Sequence, residues 1–399
     1  MLNATIFLIV ACSNKLNVPN ITYNLELTKK ETIFFEDVND ISKLVYYYDE
    51  DSDKEYLIYY DKLKKHFIIF NYADGKVIKK FNIGSQINSL YVKKIDSIYV
   101  SFDNAFGEKA NIFALINSDG EVLERINLYN NMVIPEIDAE GNFKMSGNKN
   151  TIQLANNPYS FNNFCIFDEK MYMNIAPTKN LQNKYDHPTL AFINIYDKTH
   201  ILKYGYKYPT FYNNNYAADY IDFIIKKDSK NITNIIISHI LSDSVYINRL
   251  VPIFEANDMF LIDDPNYDTL IIKNVSSKYK NVSPTSKKPE AAYFSFKYAY
   301  LKHDPFRNCF YRIAIHNLDN DDIKIPKNAN LTTFTTKLQN WSIIVADGNL
   351  NMLCEKLFNA SDNFYPNILV TKSGIGLIHN DDAENGANIT KNNVKIVKK

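Results

Sequence analysis

The chain holds four arginines among 45 basic residues, and two of them, Arg307 and Arg312, fall within "KHDPFRNCFYRIAIHN" (302 to 317). Where lysine is so strongly preferred, a retained arginine does what lysine cannot. Its planar fork grips a carboxylate or several carbonyls at once, and it keeps its charge when buried. Asp304, just before Pro305, can accept the N–H groups of a turn, and Pro305 fixes that turn. A strand then starts near Cys309. Alternation puts Phe310, Arg312, Ala314 and His316 on one face and Cys309, Tyr311, Ile313 and Ile315 on the other. The second face is core, so Arg312 points away from that core or along an interface between sheets. Two chemistries follow. Arg312 either ties carbonyls and a neighbouring carboxylate, with Asp304 the nearest, or grips an anionic ligand with help from Arg307. Asp304, Arg307, Tyr311, Arg312 and His316 are therefore the candidate ligand-binding or structural residues.

Other constellations are missing from the chain. There is no GxSxG elbow, HExxH, P-loop or GxGxxG, and "SDGEV" (118 to 122) is a turn and not a sialidase-type Asp box. The seven histidines are scattered. The acidic runs "DDPNYD" (263 to 268) and "DNDD" (319 to 322) lack the spaced glycine of a calcium loop. No catalytic residue, metal or cofactor is assigned.

The elements that must position the arginines repeat along the chain. "HFIIFNYADGKVIKKFNI" (66 to 83) and "NIFALINSDGEVLERINL" (111 to 128) align without a gap around Asp-Gly. Asp-Gly between alternating strands signals a hairpin, because its turn needs positive φ. Looser copies start at 189, 235, 269, 310 and 342, and short strands such as "EYLIYYD" and "DSIYVSFD" precede the early hairpins. The first two turns are a blade apart, whereas "MVIPEIDAEGNFKMSGNKN" (132 to 150) reads as an insertion or a degenerate blade. With no long amphipathic helix, the pattern predicts an all-β fold. It is a β-propeller of about seven blades, with six to eight allowed, made of mostly antiparallel four-stranded sheets. The last strands, 367 to 381 and 392 to 399, would complete the final blade with "ITYNLELT" (21 to 28). A double sandwich is the alternative.

The N-terminus reads "MLNATIFLIVACSNK". Its apolar run is too short to span a bilayer as a helix, and Ile9-Val10-Ala11-Cys12 resembles a bacterial lipobox. That implies cleavage before Cys12 and lipid on its thiol and amino group, although the usual lysines before the run are missing. Residues 1–15 are thus a signal peptide and tether, and 16–399 a single propeller domain. Ser13, Asn14 and Lys15 stand directly after Cys12, with no acidic residue among them, which favours the periplasmic side of the outer membrane. Cys165, Cys309 and Cys354 sit among apolar neighbours and read as core residues, with no CxxC pair.

Three stretches resemble an uncharacterised family of Bacteroidota lipoproteins with a propeller-like fold. "HDPFRNCFYRIAIHN" is similar to its Tyr-Asp-Pro-Tyr-Arg-x-x-Tyr-Tyr-Arg signature, matching at Asp304, Pro305, Arg307, Tyr311 and Arg312. His303, Phe306 and Phe310 stand where the family has tyrosine. "LSDSVYIN" (241 to 248) and "NILVTKSGIGLI" (367 to 378) are similar to two further strands. The resemblance implies a fold and a location, and no activity.

Acidic and basic residues balance at 45 each, so no global field draws the chain to nucleic acid. The function expected is that of a non-enzymatic envelope lipoprotein, held to the membrane by its lipid, that binds a protein, peptide or glycan. A hydrolase or lyase acting on glycan or peptide in the central channel is the alternative.

Overall fold

The computed structural model describes residues 23–102, 112–127, 136–137, 143–144, 152–155, 163–177, 188–196, 203–207, 221–249, 271–280, 295–318, 337–379 and 386–398. Cys12 and both acidic runs lie outside them. Val, Ile, Tyr and Phe fill the strands, as their stiff or flat side chains suit a pleated, packed surface.

The strands form six antiparallel blades in a propeller arrangement. Blade one holds Leu44–Asp49, Lys54–Asp61, His66–Asn71 and Val77–Asn82, and blade two Ile87–Lys94, Ser97–Phe102, Ile112–Ile116 and Val122–Asn127. In blade three the first position is shared, since Ile152–Leu154 and Phe164–Phe167 pair with different halves of Lys170–Pro177. Pro188–Asn194 and Lys203–Lys207 complete it. Blade four holds Ile221–Lys227, Thr233–His239, Ser244–Arg249 and Ile271–Asn274, and blade five Lys297–Asp304, Cys309–Ile315, Trp341–Asp347 and Met352–Phe358. Blade six holds Phe364–Thr371, Gly374–His379 and Gly386–Lys398, and its outer strand is the N-terminal Tyr23–Glu36. Strands from opposite ends of the sequence thus close the ring, which leaves fewer open sheet edges.

Six blades lie within the range the repeats allow, and the difference from seven has a simple cause. The hairpins starting at 235 and 269 belong to one blade, as do those at 310 and 342, which reduces seven hairpins to five blades, and the closing blade, which holds none of those hairpins, is the sixth. The strand-turn-strand reading of 269–282 is corrected, because Ile271–Asn274 pairs back onto Ser244–Arg249 and a turn follows it. Likewise Cys309–Ile315 pairs with Lys297–Asp304 and Trp341–Asp347. In the 132–150 insertion, Glu136–Ile137 pairs with Phe143–Lys144 as a short ladder.

The repeated turns behave as their residues dictate at two sites. Gly75 and Gly120 have φ of 74° and 82°. At the third Asp-Gly the positive φ falls on Leu350 instead, at 61°. Gly348 serves there by size, since a Cβ would lie 2.6 Å from the Asn308 amide.

Candidate functional site

The residues of the arginine motif do not converge on one site. They occupy three places around blade five. Every residue of Cys309–Ile315 is buried, because a second strand is covered on both faces by neighbouring blades. Cys309, Tyr311, Ile313 and Ile315 join the largest core cluster. Phe310 and Ala314 join a different one, with Ile236 and Val245 of blade four.

Arg312 lies in this seam between blades four and five, with no exposed surface. Its Nε donates to Ser238 Oγ at 3.1 Å. Nη1 donates to the carbonyls of Asp243 and Val275 at 3.0 and 2.8 Å. Nη2 donates to those of His239 and Ser242 at 3.2 and 2.5 Å. Its five donors are all used, all on blade four and the segment just after it. The guanidinium carbon also lies 3.5 Å from the centre of the Tyr298 ring. The carboxylate near Arg312 is Asp243, which accepts from Tyr298 Oη at 2.7 Å, and not Asp304 as expected. Asp304 sits at the strand's other end, opposite Cys309.

Asp304, fully buried, organises the first turn of blade five. Its Oδ1 accepts from the N–H groups of Phe306 and Arg307, both at 3.0 Å. Its Oδ2 accepts from Arg307 Nη1 at 2.7 Å and Tyr311 Oη at 2.9 Å. Arg307 then crosses to blade six, donating to the carbonyls of Thr371 and Lys372 at 3.2 and 3.0 Å.

His316 lies past the opposite end of the strand. Ser342 Oγ donates to Glu355 Oε1 at 2.5 Å, so it accepts from His316 Nε2, 3.0 Å away. Glu355 also accepts from Ser277 Oγ and Lys278 N at 2.6 and 2.8 Å. The serine proton is directed at the carboxylate and not at the imidazole, the reverse of a hydroxyl activated by histidine. Burial lowers the His316 pKa, against the pull of Glu355.

The concave site is elsewhere. A cavity of about 560 Å³ is lined by the first strands of all six blades, among them Tyr46, Tyr91, Phe167, Asp222, Lys302 and Asn367. This is the central channel, and its volume is that of a ligand site. Its polar groups lie on blades four to six. Lys302 Nζ donates to Asn367 Oδ1 at 3.0 Å and to the Ile368 carbonyl at 2.5 Å. Asp222 accepts from Leu301 N at 2.5 Å and Phe223 N at 3.1 Å. Burial raises the Asp222 pKa to about 6, against its two backbone hydrogen bonds and the charge of Lys302. Burial lowers that of Lys302 to about 8, against the pull of Asp222. His303, also on the channel wall, is lowered to about 4 by burial and by the Lys226 charge.

The two regions are joined. Pro305 lines the channel too, so the Asp304 turn lies at its edge. Arg307 fastens this turn to the end of the blade-six strand that carries Asn367. Of the candidate residues, Asp304, Arg307 and Tyr311 meet, while Arg312 and His316 stand apart. Asp222, Lys302, His303 and Asn367 went unread, although a signal existed. "YIDFII" and "YAYLKHD" each place charge inside a run that otherwise reads as buried strand. Cys165 borders the channel, and Cys309 and Cys354 are buried, all three as free thiols.

The fold and this channel define a six-bladed β-propeller with an open centre. No family model matches the chain, and no curated protein does. Among solved structures it is similar to a member of the DUF4221 family from Bacteroides vulgatus, at 17% identity and a TM-score of 0.64, covering 94% of this chain and 99% of that one. A putative exported protein from Bacteroides fragilis is similar at 10% identity and a TM-score of 0.48, covering 94% and 96%. At such identity the first likeness shows a shared fold.

Proposed function

We propose that this chain is a non-enzymatic envelope lipoprotein, anchored by lipid at Cys12 on the periplasmic side of the outer membrane, whose propeller binds a ligand in its central channel. The ligand is a small molecule or the end of a glycan or peptide. One observation carries this reading: a 560 Å³ cavity to which each blade contributes its first strand and in which polar groups gather on one side. Arg312 is not the ligand-binding residue in this proposal, because its donors are used in the seam. Asp304 and Arg307 act as positioning residues for the strands of Lys302 and Asn367.

A second reading has a specific observation behind it. Asp222 at about 6 and Lys302 at about 8 are drawn toward neutrality from opposite sides. Such pairs in cavities suit general acid–base work, so a lyase or hydrolase acting in the channel is the alternative.

The test has two parts. Pro305→Trp adds bulk at the channel from an exposed turn, and should abolish binding of any glycan or peptide found by thermal-shift screening while the variant keeps its melting temperature. Undiminished binding would place the site outside the channel. Cys12→Ala should move the protein from the membrane pellet to the soluble fraction, and continued pelleting after a salt wash would refute the anchor.

A further inference from the structure

We infer that the channel takes a neutral, polyhydroxylated ring, a sugar unit of hexose size, in preference to an ion or an apolar chain. This rests on the channel being the binding site. The argument counts the hydrogen-bonding capacity left over on the wall. Lys302 has three N–H donors, and two go to Asn367 and Ile368. The third has no hydrogen-bond acceptor among the described residues, although Nζ also lies 4.9 Å from the centre of the Tyr300 ring. His303 Nε2 lies 3.3 Å from Lys226 Nζ, and an ammonium only donates, so Nε2 accepts. Neutral His303 then carries its proton on Nδ1, a second donor without a partner among the described residues. Each Asp222 oxygen accepts one backbone N–H, which leaves lone pairs on both.

The wall thus offers two donors and an acceptor, with the charges of Asp222 and Lys302 opposed and coupled. A carboxylate drawn to Lys302 would be repelled by Asp222, and an amine drawn to Asp222 would be repelled by Lys302. A hydroxyl both donates and accepts, so vicinal hydroxyls serve all three groups without separating the pair. The rest of the wall supplies what the C–H faces of a sugar require. Tyr46 and Tyr91 direct their hydroxyls into the protein, to Glu55 Oε1 at 2.5 Å and the Ile166 carbonyl at 3.0 Å. They therefore give the channel ring surface and not polar tips, alongside Phe167.

The experiment is saturation-transfer NMR and calorimetry on the full chain with neutral mono- and disaccharides. Glucuronic acid and glucosamine serve as charged analogues, and octanoate as an apolar anion. At least one neutral sugar should bind about tenfold tighter than its charged analogue, and Lys302→Met and Asp222→Asn should each weaken it about tenfold. If Lys302→Met does not fold, His303→Phe carries the same test. A tighter charged analogue or octanoate that is still lost with Lys302→Met overturns the sugar and keeps the channel. Binding indifferent to these substitutions and to Pro305→Trp overturns both. Failure of every neutral sugar to bind at millimolar concentration overturns the inference.

Discussion

Arg312 and Lys302 are cations of the same blade, on neighbouring strands, in opposite situations. Arg312 pairs across the ladder with Leu301, and Lys302 with Tyr311, one step away. Arg312 meets an acceptor with each of its five donors. Lys302 meets two with three. A saturated buried cation holds parts of a fold together and has nothing left for a ligand. A half-buried cation with capacity to spare costs stability, and its retention calls for a use outside the fold. The difference separates the seam from the site more sharply than residue type or burial does.

The largest effect expected from this contrast is at Arg312. Arg312→Ala would take a donor from four carbonyls and a serine in a closed seam, of which the Asp243 carbonyl keeps the Val275 N–H, and should cost about 3–5 kcal/mol in denaturant melts. Arg312→Lys should recover little, since one ammonium cannot serve five acceptors in a fork. Affinity for a channel ligand should persist in whatever fraction folds. An Arg312→Ala protein of wild-type stability that has lost its ligand would reverse the assignment of seam and site.

Asp304 sharpens the comparison, because it belongs to both regions. Asp304→Asn keeps an acceptor for the turn but loses the charge opposite Arg307, and should cost about 2 kcal/mol. It should also weaken ligand binding a few-fold, since the turn bears on Pro305, His303 and Lys302. Arg307→Lys should be milder, because Arg307 is partly exposed and lysine can still meet Asp304. Loss of stability in Asp304→Asn with ligand affinity untouched would leave the turn a structural device only.

Much of the fold was legible, and the reason lies in local chemistry. The two clean Asp-Gly hairpins reveal the blade because turn and strands depend on residues close in sequence. Arg312 was legible as an arginine with a special task. Its partners were not, because Ser238, Asp243 and Val275 are brought to it by the packing of another blade. The same limit hid the channel, since a ring of first strands has no signature in any one of them. Lys302 and His303 stood beside the arginines in the same stretch. Their importance lies in facing the axis, and strand alternation alone does not say which edge of a blade is innermost. The bulge between Tyr298 and Tyr300 shifts the register there as well.

The smallest effect concerns how Asp222 and His303 offset each other with pH. Asp222 has a folded pKa of about 6 against an ordinary value of 3.8. The folded state therefore holds the extra proton between those values, and this group's contribution to stability falls as pH rises from about 4 to 6. His303 has a folded pKa of about 4 against 6.5. There the unfolded state holds the extra proton, so its contribution rises over nearly the same window. The two slopes have opposite signs and largely cancel in the wild type. Asp222→Asn removes one of them. Its stability, relative to wild type, should climb between about pH 4 and 6, by an amount the partial exposure of Asp222 holds to about 1–2 kcal/mol. Parallel melts of the two proteins at pH 4, 5, 6 and 7 cancel every group they share. Parallel curves would mean that Asp222 is solvated as an ordinary surface carboxylate, which would remove the charge-compensated wall on which the channel's selectivity depends.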